Sequence, residues 1–332
     1  DVLSVFPDGH FGVNVIRDTE GDLHAGEDPD EWWRRRTGEA QYNNFYFRKL
    51  EWLPGNIGFV DFRFFEYPEL SGETAVAVMQ FLAYTDAIII DLRQNPGGRG
   101  ELSQLILSYF FEDQRVHYST DEDRGKSVKK QWWTIPHVQG VRKPGTPLYI
   151  LTSRGTGSSA EGFAYALKHL NRAIIVGDTT AGAAHKTHPH LFPDLGIEIH
   201  MPDGRSYSPV TKQDWEGVGV IPHVVVDADN AFDLAYAMAI DTLYQSEIDQ
   251  DRRFGLEWAK RELDAELNPT FLSENTIREY TGQYGPRRIF IDKGLLYYQR
   301  EGRTEYQLMP LGDDWFKVEG LDYFRIVFSR DS

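Results

Sequence analysis

The sequence predicts an α/β core followed by a small all-β domain, on three observations. Short, almost continuous apolar runs stand at DAIIIDL (86–92), PLYILTS (147–153) and RAIIVGD (172–178), the pattern of strands buried on both faces. Stretches with helical spacing lie between them, so strand and helix alternate as in a parallel sheet. From residue 270 the pattern changes to short alternating strands broken by Gly, Asp and Lys turns.

Residues 11–55 are polar, with acidic runs such as DTEGDLHAGEDPDEWW, and read as loops with short elements. The basic cluster Trp32-Trp33-Arg34-Arg35-Arg36 sits in that acidic neighbourhood and reads as a solvated or core-edge helix. Alternation in NIGFVDFRFFEY (56–67) predicts a strand whose aromatics, Phe59, Phe62, Phe64, Phe65 and Tyr67, serve the core. ELSQLILSYFF (101–111) predicts a helix. Behind GTGSSAEG, Phe163, Ala166, Leu167 and Leu170 recur at helical spacing and predict another over 158–170. Residues 190–209 predict a hairpin turning at Pro202-Asp203-Gly204. A strand is expected over 217–227, then helix over about 229–266, where EWAKRELDAEL is rich in helix formers. The chain thus divides into an N-terminal remnant (1–50), an α/β core (51–245), a helical linker (246–269) and a β domain (270–332).

Composition narrows the function. The 332 residues are 41% hydrophobic, enough for a large core, and carry a formal charge of −16. So acidic a surface argues against nucleic-acid or anionic-membrane partners, which need a basic face. There is no cysteine, which removes disulfides, thiolate metal sites and cysteine nucleophiles. No stretch is long and apolar enough to span a bilayer. The start at Asp1, without methionine, reads as a processed or truncated N-terminus. Nothing in the sequence sets an oligomeric state.

Ser158-x-x-Glu161 before an apolar run is a capping-box pattern, and on local pattern alone it is an ordinary helix start. The same position suits a nucleophile, because the free N–H groups and positive dipole end of a helix favour negative charge beside them. DLRQNPGGRG (91–100) supplies a second feature, since Gly97-Gly98 lets backbone N–H groups approach a ligand with no Cβ in the way. The pattern is not the G-x-S-x-G elbow of α/β hydrolases. His185, His188 and His190 match no standard zinc spacing and read as lining a cleft rather than holding a metal.

IIIDLRQNPGG, LTSRGTGSSAEGFAYAL, AIIVGDTTAGAA and SPVTKQDWEGVGVIPHV occur in that order. Together they resemble the tail-specific, or C-terminal-processing, serine peptidase family, in its branch related to the interphotoreceptor retinoid-binding protein and the tricorn core protease. The resemblance covers roughly residues 1–245. It implies a crotonase-like core, a peptide or protein substrate, and neither cofactor nor metal. It also implies Ser158 as nucleophile and the N–H groups of Ser159 and Gly98 as oxyanion donors. The lysine base of the processing proteases falls at Ala183 here, with Lys186 three residues on as a substitute for a Ser–Lys dyad. The tricorn-like branch instead uses a histidine and a glutamate, matched by His10 in PDGHFGV and Glu216 in DWEGVGV. Gly9 stands where that branch has a serine, and Asp8 is a nearby second carboxylate. About 45 residues between His10 and the first core strand are too few for the PDZ module usual in the family. The tail from 270 is similar to a small β domain often appended to such proteins. A periplasmic or secreted site is implied, with the cytoplasm left open. Two rivals stand beside the peptidase: a catalytically silent lipid- or retinoid-like binding protein, and an esterase using the same serine.

Overall fold

The apolar runs form the middle of a six-stranded sheet in a computed structural model that describes residues 11–15, 28–125 and 129–329. The chain divides into two units, 1–242 and 243–332. The first runs β1 (Gly12–Val15), α1 (Pro29–Tyr42), β2 (Phe47–Leu53), β3 (Ile57–Phe62), α2 (Pro68–Phe81), β4 (Ala87–Asp91) and α3 (Gly100–Ser108). It continues with β5 (His117–Asp123), β6 (Lys129–Trp133), β7 (Leu148–Thr152), α4 (Ser158–His169), β8 (Ile174–Gly177), β9 (His185–Phe192), β10 (Ile197–Tyr207), β11 (Val224–Val225) and most of α5 (Ala231–Ser246).

The central sheet has the order β11-β8-β7-β4-β3-β2 and is parallel except for β2. Every residue of β3, β4 and β7 is buried, which is why β4 and β7 read as nearly continuous apolar runs. Leu102, Ile106 and Leu107 of α3 and Phe163, Ala164 and Leu167 of α4 close over one core with Ile88, Ile90 and Ile150. A second, antiparallel sheet joins β1, β10, β5 and β6, with β9 also paired to β10.

Two expectations are corrected. The hairpin does not turn at Pro202-Asp203-Gly204. Those residues lie inside β10 at a register shift, and the chain turns at Pro193–Leu195, where Gly196 adopts a φ of 62°. A bulge tolerates a proline that a regular ladder would not. The strand over 217–227 shrinks to Val224–Val225, because Gly217 and Gly219 take positive φ and wind the chain into turns. The helix expected around Trp32–Arg36 is present as the 14-residue α1, capped by Asp28 with Pro29 in its first turn.

In the second unit α6 (Gln250–Leu267) and α7 (Glu274–Glu279) precede an all-antiparallel meander. Its strands are β12 (Gly282–Tyr284), β13 (Arg287–Asp292), β14 (Leu295–Arg300), β15 (Glu305–Gly312), β16 (Trp315–Val318) and β17 (Arg325–Val327), paired in chain order. Ile289, Leu296, Tyr298, Leu308, Phe316 and Val318 make its core. The helix α6, read in the sequence as a linker, packs on β15 and buries Leu256, Trp258 and Leu263. Among the described residues no helix is long and apolar enough to cross a membrane.

Candidate active site

Because β3, β4, β7 and β8 run parallel, their carboxyl ends lie on one side of the sheet. The segments leaving those ends meet there, where open parallel sheets place ligands. Fully buried Asn95 ties three of them together. Its Nδ2 donates to Phe62 O (2.9 Å), its Oδ1 accepts from Gly97 N (2.9 Å), and its carbonyl accepts from Gly157 N (3.0 Å). Thr156 adds a link through Oγ1 to Leu92 O (2.7 Å), and its carbonyl takes Ala181 N from the segment after β8 (3.0 Å).

Gly97 and Gly98 have φ of 115° and 124°, a region closed to side-chain residues. A Cβ at Gly98 would stand 2.1 Å from Phe65 O, and one at Gly97 2.7 Å from Ser158 Cβ. Glycine thus lets the turn lie against both Phe65 and the start of α4.

Ser158 sits at the first position of α4 with a φ of 49°, a left-handed conformation that costs a non-glycine residue about 1–2 kcal/mol. Glu161 holds it there. Fully buried, this carboxylate accepts from Ser158 N (2.8 Å), Thr180 Oγ1 (2.5 Å), Gly182 N (2.6 Å) and Ala183 N (2.9 Å). Only half of the capping box is formed. Glu161 reaches back to the serine N–H, but Gly157 occupies the N-cap, and Ser158 Oγ has no hydrogen-bond partner among the described residues. The hydroxyl that a cap would consume is free.

Two backbone donors flank it. Among the described residues neither Gly98 N–H nor Ser159 N–H has an acceptor, while Ser159 Oγ donates to Gly98 O (2.7 Å) and holds the two segments together. Ser158, Ser159 and Gly98 line one cleft of about 420 Å3 together with Tyr118, Asp121, Trp132, His185, Lys186 and Trp215.

The remaining sequence candidates fall in different places. Lys186 lines the cleft, but its ammonium is engaged by Asp121. Glu216 stands behind the cleft wall, its Oε2 accepting from Ala184 N (2.7 Å) and His185 N (2.8 Å). Its Oε1 is buried with no donor among the described residues. The His185 imidazole Nδ1 is 3.7 Å from Glu216 Oε2. Ala183 donates its N–H to Glu161 rather than offering a base. His10, Gly9 and Asp8 lie outside the described residues. Among the described residues no group of three or more His, Asp or Glu is placed to hold a metal ion.

The sequence reading passed over the wall built by β5 and β6. Asp121, 4% exposed, accepts from Trp132 Nε1 (2.6 Å), Ser206 Oγ (2.7 Å) and Lys186, so it is the polar hub of that wall. Burial pushes the neighbouring Tyr118 phenol up, with Asp121 adding to the effect, so the hydroxyl stays neutral. No motif marks Asp121, because a carboxylate in HYSTDED looks like any solvated acid.

The sequence profile of Peptidase family S41 matches residues 56–226, from the start of β3 through β11. A carboxy-terminal processing protease of Bacillus subtilis is 31% identical over 97 residues, 29% of this chain and 19% of that protein. A carboxyl-terminal-processing protease of Picosynechococcus is 25% identical over 171 residues, 49% of this chain and 39% of that one. The chain therefore spans well under half the length of these two relatives. A solved protein of Parabacteroides merdae, described as a candidate peptidase, is 20% identical. It overlays with a TM-score of 0.53 across 74% of this chain and 82% of that one, which is a shared fold.

Proposed function

Because the chain belongs to peptidase family S41, we propose that it hydrolyses peptide bonds with Ser158 as the nucleophile, on a crotonase-like core. One observation carries the reading: a strained serine at a helix start lines an open cleft with Gly98 and Ser159, and among the described residues neither its hydroxyl nor their N–H groups have a hydrogen-bond partner. Strain held at a site by a satisfied surrounding network is a mark of function, and free N–H pairs are what a developing oxyanion needs.

In this mechanism Ser158 Oγ attacks the scissile carbonyl and its proton passes to His10. The carbonyl oxygen, now negative, receives the N–H groups of Gly98 and Ser159. Collapse breaks the C–N bond, and His10 returns the proton to the leaving amine. Water then repeats the sequence on the acyl-enzyme. Glu216 orients the imidazole. Its Oε2 is fixed by two backbone N–H groups, and its buried Oε1 has no donor among the described residues, which leaves an acceptor of the kind an imidazole N–H requires. No step calls for a cofactor or metal. Lys186 is not used, since Asp121 occupies its ammonium. A peptide or protein substrate accompanies this reading, supported by the names of the relatives alone, and a periplasmic or secreted site of action is proposed with it.

The test is labelling of the full-length protein with a fluorophosphonate, followed by mass mapping. We expect an adduct on Ser158 that disappears in Ser158→Ala and His10→Ala. A folded, unlabelled protein that binds a lipid probe would replace the peptidase with the binding-protein reading.

A further inference from the structure

Gly98 and Arg99 line a second cavity as well, of about 400 Å3. Among the described residues its other walls are Trp32, Arg35 and Arg36 of α1 and Phe64 and Tyr67 after β3, with no acidic residue among them. In a chain with a formal charge of −16, a cavity bordered by three arginines runs against the prevailing field. Arg36 is matched, by Glu66 at 2.5 Å and Glu39 at 3.2 Å. Arg99 is held more loosely. Among the described residues no group accepts a hydrogen bond from its guanidinium, which lies 3.9 Å over the Tyr67 ring, and the only carboxylate that feels its charge is Glu66, already paired with Arg36. Tyr67 is itself held edge-on by Trp32 (5.7 Å) and Trp33 (5.2 Å). Stacking uses the face of a guanidinium and leaves its N–H edge available, in the fork geometry that matches a carboxylate.

Position gives this cation its meaning. Arg99 directly follows Gly98, whose N–H is one of the two donors beside Ser158, and both residues border the two cavities. The two cavities share Gly98 and Arg99 as wall, so the arginine borders the space in which a substrate at Ser158 would lie. Resting on the Ser158 reading, we propose that the arginine-lined cavity is a substrate subsite for a carboxylate close to the scissile bond, with Arg99 as the specificity-determining residue. The carboxylate comes from a Glu or Asp side chain or from the terminus of the substrate chain.

Binding to the Ser158→Ala protein separates this claim from catalysis. Fluorescent peptides are prepared in matched pairs, Glu against Gln at positions flanking a central bond, and free-acid against amidated terminus. We expect one pair to show about tenfold tighter binding of the acid, and Arg99→Ala or Arg99→Gln to bring that pair to parity. Arg99→Lys should keep part of the preference. The pair that responds identifies the source of the carboxylate. Equal binding within both pairs, or a preference that survives in a folded Arg99→Gln protein, overturns the subsite. Fluorophosphonate labelling of the unmutated serine is scored independently, so failure of the nucleophile is told apart from failure of the subsite.

Discussion

Glu161→Gln is the sharpest perturbation of the site, because it changes one charge and almost no volume. The native carboxylate accepts four hydrogen bonds, from Thr180 Oγ1 and Gly182 N on one oxygen and from Ser158 N and Ala183 N on the other. A glutamine can present an acceptor to only one of these pairs. Turning its NH2 toward Ser158 and Ala183 would orphan two backbone donors. Turning it toward Thr180 is cheaper, because that hydroxyl, which already accepts from Val220 N, has a second lone pair, but Gly182 N–H then loses its partner. An orphaned buried N–H costs about 1–3 kcal/mol, and the two bonds that remain lose their charged acceptor at about 1 kcal/mol each. Removing a buried charge offsets part of this. The balance is a loss of about 2–4 kcal/mol, which for a unit of this size lowers Tm by about 5–15 °C. The segment from Gly182 also carries the cleft wall at Ala184 and His185, so labelling of Ser158 should slow by about 10- to 100-fold. Differential scanning calorimetry and fluorophosphonate kinetics on the same preparation read both effects. A variant that melts within a degree of the native protein and labels at the native rate would show that Glu161 does not hold Ser158 in place.

Three further outcomes are expected. His10→Ala should cost at least 10²-fold in labelling rate, whereas His185→Ala and Lys186→Met stay within about tenfold; the reverse pattern, read by the same kinetics, moves the base to the cleft wall. Gly98→Ala forces a Cβ to 2.1 Å from Phe65 O at a φ of 124°, so it should lower both Tm and labelling, and an unchanged melt counts against the turn described here. Burial, with Lys168 nearby, holds the His223 imidazole below its ordinary 6.5, and its Nδ1 accepts from Ile175 N at 3.0 Å. The unfolded chain then binds more protons as pH falls, so stability present above about 6.5 is lost as pH drops through that value toward the folded one. His223→Asn should flatten the fall in Tm between pH 7 and 5, and an unchanged slope rules this histidine out as its source.

The parts of the fold that the sequence spelled out are those whose side chains face one kind of environment along their whole length. β4 and β7 are buried at every residue, and α4 keeps one apolar face, so each carries its own signal. β5 and β6 do not. Their polar residues, HYSTDED and KKQWW, become a wall only through partners far along the chain, as when register sets Ser206 of β10 opposite Asp121. The turn at 193–195 was displaced to 202–204 because Pro-Asp-Gly has the same composition in a bulge as in a hairpin. At the site, Ser158, Ser159 and Gly98 were found in sequence and meet in one cleft. What the residues themselves could not say is that the serine would occupy a left-handed conformation and decline its cap. That depends on Glu161 spending its four acceptor positions on two segments far apart in the chain, Ser158 and residues 180–183.

Those buried polar groups explain why the strain persists. Asn95, Glu161 and Glu216 lie where the segments after the parallel strands converge, and each bonds mainly to backbone N–H or C=O rather than to another side chain. A backbone partner cannot swing to a new rotamer, so loops fixed this way have one low-energy arrangement and lose hydrogen bonds in every other. An apolar core of the same volume would tolerate exchange of one side chain for another of similar size, since shape alone is at stake. Around Ser158 exchange removes an acceptor that no neighbour can supply. The core of α3 and α4 should accept Leu-to-Met or Ile-to-Val changes with small loss, while Asn95, Glu161 and Gly98 accept none without moving the serine.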